Sequence, residues 1–246
     1  MDWHIERIDT CESTQDEAHA RAQDGAPHGT VVFTGTMADG RGQHGRGWHA
    51  PQGGVYLSMV LRDVPAPKFL TLALGNAVAD VLEVAGAEPR LKWVNDVWVD
   101  GKKIAGILVE AETTGDQTVY IAGLGINVNG HAADWPHPLN GTATTLEDVL
   151  GAEACIEDLE AFLLESITGW LQKLDGRTEE VIAAWQARDA LEGQTVGFDP
   201  DGDFCTKLVG TAAGIDAEGR LRLVTDEGEQ VFDNGSVFLQ ESRQTS

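Results

Sequence analysis

Three observations predict an α+β fold: an antiparallel-rich mixed sheet with helices on one side, followed by a small β-barrel. Apolar residues recur at helical spacing from Lys68 to Ala85, with Phe69, Leu70, Leu72, Ala73, Leu74, Ala77, Val78, Val81 and Leu82 making a wide buried face. Short strand patterns flank that stretch on both sides, and Asp100-Gly101 between two of them is a strong hairpin signal. Beyond Leu191 the texture changes to brief β segments broken by Gly and Asp. A domain boundary near residue 190 follows, giving a larger domain over 1–190 and a smaller one over 191–246.

Taken in order, Glu12-Ser13-Thr14-Gln15-Asp16-Glu17 opens a first helix, because Ser13 or Thr14 can cap it and acidic residues fill its first turn. Val31 to Gly35 and Gly54 to Leu61 read as strands on either side of a glycine-rich loop. After the long apolar helix, Leu91 to Val94, Val97 to Val99, Lys103 to Glu110 and Thr118 to Val128 read as further strands. Thr144 or Thr145 caps a short helix before Leu146 to Leu150, and Ile156 to Leu174 and Thr178 to Leu191 are two more helices. Thr195 to Phe198, Thr206 to Ile215, Leu221 to Thr225 and Gln230 to Phe232 carry the turn-rich spacing of a small β-barrel.

The charge excludes whole classes of partner. The 246 residues hold 40 Asp and Glu against 17 Lys and Arg, a formal net charge of -23. Binding nucleic acid or an anionic membrane over a broad surface is disfavoured by that field. So acidic a coat, with only six lysines, leads to the expectation of a halophilic protein that unfolds in dilute buffer and is stabilised by KCl. Apolar content of 42% supports a real core. Cys11, Cys155 and Cys205 are too scattered for a metal site, and His131 with His137 reads as a solvated loop pair. No secretory leader or membrane-spanning run is visible, so a cytoplasmic location is expected.

Residues 40–48, Gly-Arg-Gly-Gln-His-Gly-Arg-Gly-Trp, run against this acidic background. Four glycines in nine residues let the backbone press against a ligand, and Arg41 and Arg46 bring planar forks suited to a carboxylate or phosphate. The segment fits Gly-x-Gly-x-x-Gly, but it runs from strand to strand rather than into a helix, so a dinucleotide-binding turn fails on context. A second constellation is Lys92-Trp93-Val94-Asn95-Asp96 followed by Gly101-Lys102-Lys103-Ile104-Ala105-Gly106-Ile107-Leu108. A lysine in an apolar strand needs a partner. By simple alternation Lys103 shares a face with Ala105 and Ile107, opposite Lys102 and Ile104, and the sequence leaves open which face is internal.

Together these segments resemble the biotin–protein ligases, the biotin–[acetyl-CoA-carboxylase] ligases. The resemblance covers nearly the whole chain: Ser13-Thr14-Gln15, the Gly-Arg-Gly-x-x-Gly-Arg-x-Trp loop, Lys92-Trp93-Val94-Asn95-Asp96, Gly101 to Leu108, and Gly123-Leu124-Gly125-Ile126-Asn127-Val128-Asn129. It implies a class II synthetase-like catalytic domain, an SH3-like C-terminal module with turns at Gly214 to Leu221 and Gly235 to Val237, and a two-step reaction. Biotin and Mg-ATP would form biotinyl-5′-AMP and pyrophosphate, and a lysine of a biotin carboxyl carrier domain would attack the mixed anhydride. ATP, Mg²⁺ and biotin are thus the implied small molecules, with Mg²⁺ offsetting triphosphate charge. The chain begins in the catalytic domain, so the family's monofunctional form without a DNA-binding region is expected; homodimerisation is left open.

The resemblance places Lys103 and Arg41 beside the biotin carboxylate and the α-phosphate, with Asp96 orienting or deprotonating the incoming lysine. Ser13, Thr14, Gln15, Arg41, Gly42, Gln43, Lys103, Gly106 and Gly123 are its biotin-binding positions. Gly40, Arg46, Trp48, Lys92, Asn95 and Asn127 are its ATP-binding positions, Trp48 covering the adenine and Asn127 also serving the metal. Three departures stand out: Gln15 where Asn is usual, Met37 where Gln is common, and Gln43 in place of an Arg, which is expected to loosen retention of the adenylate. The alternatives are a lipoyl- or octanoyl-transferring ligase on a related fold, whose members lack this form of the arginine loop, and a noncatalytic nucleotide-binding sensor.

Overall fold

The computed structural model describes residues 1–200 and 208–239, so Cys205 and the first residues of the strand expected from Thr206 lie outside the described residues. The chain opens with β1 (His4–Ile8), α1 (Thr14–Gln23) and β2 (Thr30–Thr34), then the two-residue strands β3 (Gly40–Arg41) and β4 (Gly47–Trp48). β5 (Val55–Arg62), α2 (Leu70–Val84), β6 (Arg90–Lys92), β7 (Asp96–Val99), β8 (Lys102–Thr114) and β9 (Gln117–Ile126) follow. Four helices come next, α3 (Leu139–Thr142), α4 (Leu146–Leu150), α5 (Ile156–Lys173) and α6 (Thr178–Gln186). The last strands are β10 (Thr195–Asp199), β11 (Leu208–Ile215), β12 (Leu221–Thr225), β13 (Gly228–Phe232) and β14 (Ser236–Leu239).

The main sheet has the order β1-β2-β5-β9-β8-β7-β6, parallel at β1–β2 and antiparallel elsewhere. Alternation decides its two faces. On β5, Val55, Leu57, Met59 and Leu61 join the apolar core beneath the sheet with α2, α5 and α6. α2 is buried along nearly all its length because it lies between the sheet and α5. Fully burying one of its leucines, such as Leu74, contributes roughly 2–3 kcal/mol.

Helices on one side was the expectation, and α1 departs from it. Ala18 packs against Val60 and Ile121 on the opposite face of the sheet. The helix is positioned there by its cap: the Ser13 Oγ accepts from the N–H of Gln15 at 3.2 Å, with Asp16 and Glu17 in the first turn. Its first residues therefore sit over the sheet beside the glycine loop.

β8 and β9 form the long central hairpin, reached through Asp100 and Gly101, both at positive φ as a tight I′ turn requires. Across it, Glu110 faces Ile121, Leu108 faces Gly123 and Gly106 faces Gly125, all on the α1 side. Simple alternation along β8 fails at Ile104. The pairing with β7 shifts from Val97↔Ala105 to Trp98↔Lys103, so Ile104 is an extra residue in a bulge. Ala105 and Ile107 consequently enter the core while Lys103 and Gly106 share the other face. The expectation that Lys103 lies with Ala105 and Ile107 is corrected by that single inserted residue.

α6 stops at Gln186 rather than continuing to Leu191, because the chain turns there to bridge the sheet edge, with Leu91 N–H donating to Arg188 O at 2.7 Å. The five C-terminal strands form an antiparallel sheet in the order β13-β12-β11-β10-β14, as in an SH3-like barrel. It docks through the turn after β11: the Trp93 indole N–H donates to Gly219 O at 3.1 Å, and Lys68 pairs with Glu218. Trp93 also meets Phe198 of β10, ring centroids 6.4 Å apart. One apolar cluster runs from the main sheet through Trp93 into Phe198, Leu221 and Leu223.

Candidate active site

A cleft of about 600 Å³ lies on the α1 face of the sheet, bounded by the glycine loop, the α1 N-terminus, the strand ends at 92–96 and 103–108, and residues 235–238 of the C-terminal lobe. Its floor is built from glycine. A methyl carbon on Gly125 would sit 2.6 Å from the Trp48 ring, and one on Gly106 would sit 2.9 Å from it. Those two positions, paired across β8 and β9, let the indole lie directly on the strands. The Trp48 indole nitrogen is buried there with no hydrogen-bond partner among the described residues.

The loop that delivers Trp48 is a small hairpin. Gly40 pairs with Trp48 and Arg41 with Gly47, while Gly42 N–H donates to Arg46 O at 2.7 Å and Arg46 N–H to Gln43 O at 3.1 Å. The hairpin is why Arg41, Gln43, Arg46 and Trp48 reach the cleft together. Arg41 is held by two carboxylates, one Nη on Asp16 and the other 2.5 Å from Glu110 Oε1.

Opposite the loop, Asp96 bridges two lysines. Lys103 Nζ lies 2.5 Å from its Oδ1 and Lys92 Nζ 3.2 Å from its Oδ2, and Lys103 Nζ is also 5.2 Å from the centre of the Trp48 ring. Burial acts to raise the Asp96 carboxyl, yet the charges and hydrogen bonds of Lys103 and Lys92 outweigh it and hold the group below the ordinary carboxylate value. The Lys92 ammonium is pushed down by burial, against the pull of Asp96. Two cations therefore share one anion, and Arg46 adds a third whose Nε donates to the Gln43 carbonyl at 3.2 Å. The cleft carries positive charge inside a strongly negative chain.

The far wall is neutral and hydrogen-bonded. Thr14 Oγ1 and Ser58 Oγ are 2.9 Å apart, Ser58 donates to Gln15 Oε1 at 2.9 Å, and Gln15 Nε2 donates to Glu110 Oε2 at 2.9 Å and to Ile121 O at 3.1 Å. Gly123 leaves room for this: a methyl carbon there would meet Gln15 Oε1 at 2.5 Å. Met37 Sδ lies 3.3 Å from the Thr14 N–H, filling the position of the departure noted in the sequence.

Of the expected site residues, Ser13, Thr14, Gln15, Arg41, Gly42, Gln43, Arg46, Trp48, Lys92, Asn95, Asp96, Lys103, Gly106 and Gly123 all line this one cleft. Gly40 and Asn127 do not. Gly40 is buried behind Trp48, where its missing side chain allows the close pairing of β3 with β4. Asn127 is buried past the end of β9, its Nδ2 donating to Thr144 O at 3.0 Å and its N–H to Ile104 O at 2.9 Å. These bonds anchor the segment behind the bulge, while the Asn127 Oδ1 is buried with no hydrogen-bond partner among the described residues. Ser58 and the C-terminal Ser236 to Phe238 are additions to the lining, and Glu110 stands behind it, bonded to Gln15 and Arg41. Ser58 carried a faint signal as a lone hydroxyl in an apolar strand; Glu110 and Ser236 carried none.

A magnesium ion bound with ATP would take most of its ligands from the phosphates and water rather than from a cluster of protein side chains. Among the described residues no group of three or more His, Cys, Asp and Glu could hold a metal ion, and Asp96 is engaged by two lysines. No helix among the described residues is long and apolar enough to cross a membrane.

The chain matches the biotin/lipoate A/B protein ligase family over residues 8–127 and the biotin protein ligase C-terminal domain over residues 187–240. It is 34% identical to the bifunctional ligase/repressor BirA of Bacillus subtilis over 97% of this chain and 75% of that protein. It is also 34% identical to the biotin–[acetyl-CoA-carboxylase] ligase of Mycobacterium tuberculosis, over 92% of this chain and 85% of that one. The structure of the Aquifex aeolicus biotin protein ligase in complex with biotin and ATP superposes with a TM-score of 0.82 and 28% identity, covering 97% of this chain and 99% of the other. With an arginine-bearing glycine loop and a lysine converging on one cleft, and relatives that match along nearly the whole chain, the protein belongs to the biotin/lipoate A/B protein ligase family.

Proposed function

We propose that this chain is an ATP-dependent biotin–protein ligase that makes biotinyl-5′-AMP and passes the biotinyl group to a lysine of a carrier domain. The observation that carries the reading is the convergence of Lys103, Arg46 and Trp48 on one cleft floor, with Arg41 at its rim. In the first step a carboxylate oxygen attacks the α-phosphorus and pyrophosphate leaves. Two anions must approach each other, and the Lys103, Lys92 and Arg46 cations offset their repulsion and hold them in line. Trp48 stacks on the adenine. Thr14, Gln15, Ser58 and Gly123 receive the ring system of biotin in a slot that is apolar apart from its few hydroxyl and amide groups.

In the second step the carrier amine attacks the acyl carbon, AMP departs and the amine loses a proton. Asp96, kept ionised by two lysines, orients that amine by hydrogen bonding; its low proton affinity makes it a poor sink for the proton. Biotin-dependent ATP–pyrophosphate exchange, run across a range of KCl concentrations, tests the first step, and a mass increase of a carrier domain incubated with ATP and biotin, but not with lipoate, tests the second. Exchange driven by lipoate instead would assign the chain to the lipoyl branch.

A further inference from the structure

The cleft wall over Gly123 is a one-way chain of protons, and one residue outside the expected site sets its direction. Glu110 stands on β8 opposite Ile121 and gathers three donors: Gln15 Nε2 at 2.9 Å, His19 Nε2 at 3.0 Å and Arg41 Nη2 at 2.5 Å. Burial tends to raise its carboxyl, but the hydrogen bonds from Gln15 and His19 and the charge of Arg41 hold it low, so it only accepts. Ile121 O, the other partner of Gln15 Nε2, also only accepts. The Gln15 amide is thereby oriented, with its oxygen turned to Ser58. A serine hydroxyl has one proton, and Ser58 gives it to Gln15. Its 2.9 Å contact with Thr14 then requires Thr14 to donate. Among the described residues the other acceptor for the Thr14 proton is Met37 Sδ at 3.6 Å, a weak one.

We infer that Glu110 is a positioning residue for substrate choice: through Gln15 and Ser58 it turns the Thr14 proton away from the cleft, so Thr14 presents an acceptor there and takes the N–H edge of a cyclic urea. The inference rests on the ligase reading above and deepens it. It names which edge of the ligand is selected and which charge enforces the selection. Arg41 completes the arrangement, because it occupies Glu110 Oε1 and leaves Oε2 to face Gln15.

That geometry makes Glu110→Gln informative. The new amide must offer its oxygen to Arg41, which only donates, so its NH₂ falls where Oε2 had accepted from Gln15. Donor then faces donor at position 110 while Ile121 O still accepts from Gln15 Nε2, so the amide is pulled both ways and the proton order of the chain is loosened. Ser58→Ala reaches the same end by cutting the link to Thr14, whose hydroxyl proton becomes free to enter the cleft. The full chain is titrated by calorimetry with biotin and with a carbamate analogue in which one ureido N–H is replaced by oxygen. The parent is expected to prefer biotin by roughly tenfold or more, the worth of one hydrogen bond exchanged for an acceptor–acceptor contact. Both variants bring the preference toward unity, with the biotin Kd rising more than the analogue's. A folded variant that keeps the parent's preference, or weakens both ligands equally, overturns the inference. If Glu110→Gln does not fold, Ser58→Ala decides alone. A parent that binds neither acid removes the ligase reading and this inference with it, whereas a parent that binds biotin beside unaltered variants removes the inference only.

Discussion

The Lys103 ammonium stands 2.5 Å from Oδ1 of Asp96, on the cleft side of a sheet whose regular alternation would have sent it into the core. The pair is partly exposed, with Lys103 33% and Asp96 15% accessible, so its contribution to stability is modest while its position beside Trp48 is not replaceable.

Lys103→Gln retains a donor for Asp96 and removes the charge. Pyrophosphate exchange is expected to fall by roughly 10²–10³-fold, the cost of deleting one preorganised electrostatic contact to a developing charge. The thermal midpoint is expected to move by no more than a few degrees. Steady-state exchange assays beside scanning calorimetry measure both, and an exchange rate within tenfold of the parent would take Lys103 out of the chemistry.

Gly125→Ala tests the floor. The added methyl would lie 2.6 Å from the Trp48 ring and 2.7 Å from its indole nitrogen, distances that oblige the ring to leave the sheet. If Trp48 covers the adenine, the KM for ATP rises by roughly tenfold or more, in line with the loss of one aromatic stacking contact. The biotin Kd, set on the Thr14–Ser58 wall, changes less. Equal effects on both ligands would mean that Trp48 serves the whole cleft rather than its nucleotide half.

How far the sequence reveals this site depends on what each signal encodes. The glycine loop and the Lys92–Asp96 segment are legible because charged residues among glycines, or inside an apolar strand, have few structural uses. Strand existence is legible for the same reason that α2 is: burial imposes a period. The side on which Lys103 falls is hidden, since a bulge at Ile104 depends on how β7 pairs and leaves no mark in a run of Ile, Ala and Gly. Glu110 is hidden because a charged residue near a strand end reads as solvated, and only the packing of α1 over β9 brings Gln15 and His19 to it. Asn127 has two uses that the sequence does not separate: its Nδ2 ties the 144 segment, while its buried Oδ1 has no partner among the described residues.

The link between lobes runs through Trp93, which is 3% exposed and flanked by the cleft residues Lys92 and Val94. Trp93→Phe retains the ring contact with Phe198 and deletes the bond to Gly219 O. Unfolding free energy is expected to fall by about 1–3 kcal/mol, because the carbonyl loses its indole partner in a part-buried setting. Denaturant titration gives the stability. Exchange kinetics report whether Lys92 and Asp96 shift with it, the expected sign being a higher KM for ATP. Unchanged stability would show that the turn at Gly219 is held by its other contacts.

Asp189 gives the protein a pH dependence of definite sign. It lies where the chain leaves α6 for the C-terminal lobe, bridging Leu91, and its Oδ1 accepts from Leu191 N–H at 2.7 Å. Burial, opposed by that hydrogen bond and reinforced by the charge of Glu192, raises its carboxyl from 3.8 to about 6. A carboxyl raised on folding favours the folded state when protonated. Its contribution is therefore complete below pH 3.8 and is lost as pH rises through about 6. Asp189→Asn keeps an acceptor for Leu191 and never ionises, so it escapes that loss. Relative to the parent, the variant is expected to gain on the order of 2 kcal/mol at pH 7.5, a gain that shrinks progressively between pH 6 and pH 4. Comparing the two chains at each pH cancels the titration of the other carboxylates, which both share. Denaturant midpoints for the pair, taken at half-unit steps from pH 4 to 8, trace the difference; a constant offset across that range would mean that Asp189 ionises as freely in the folded chain as in the unfolded one.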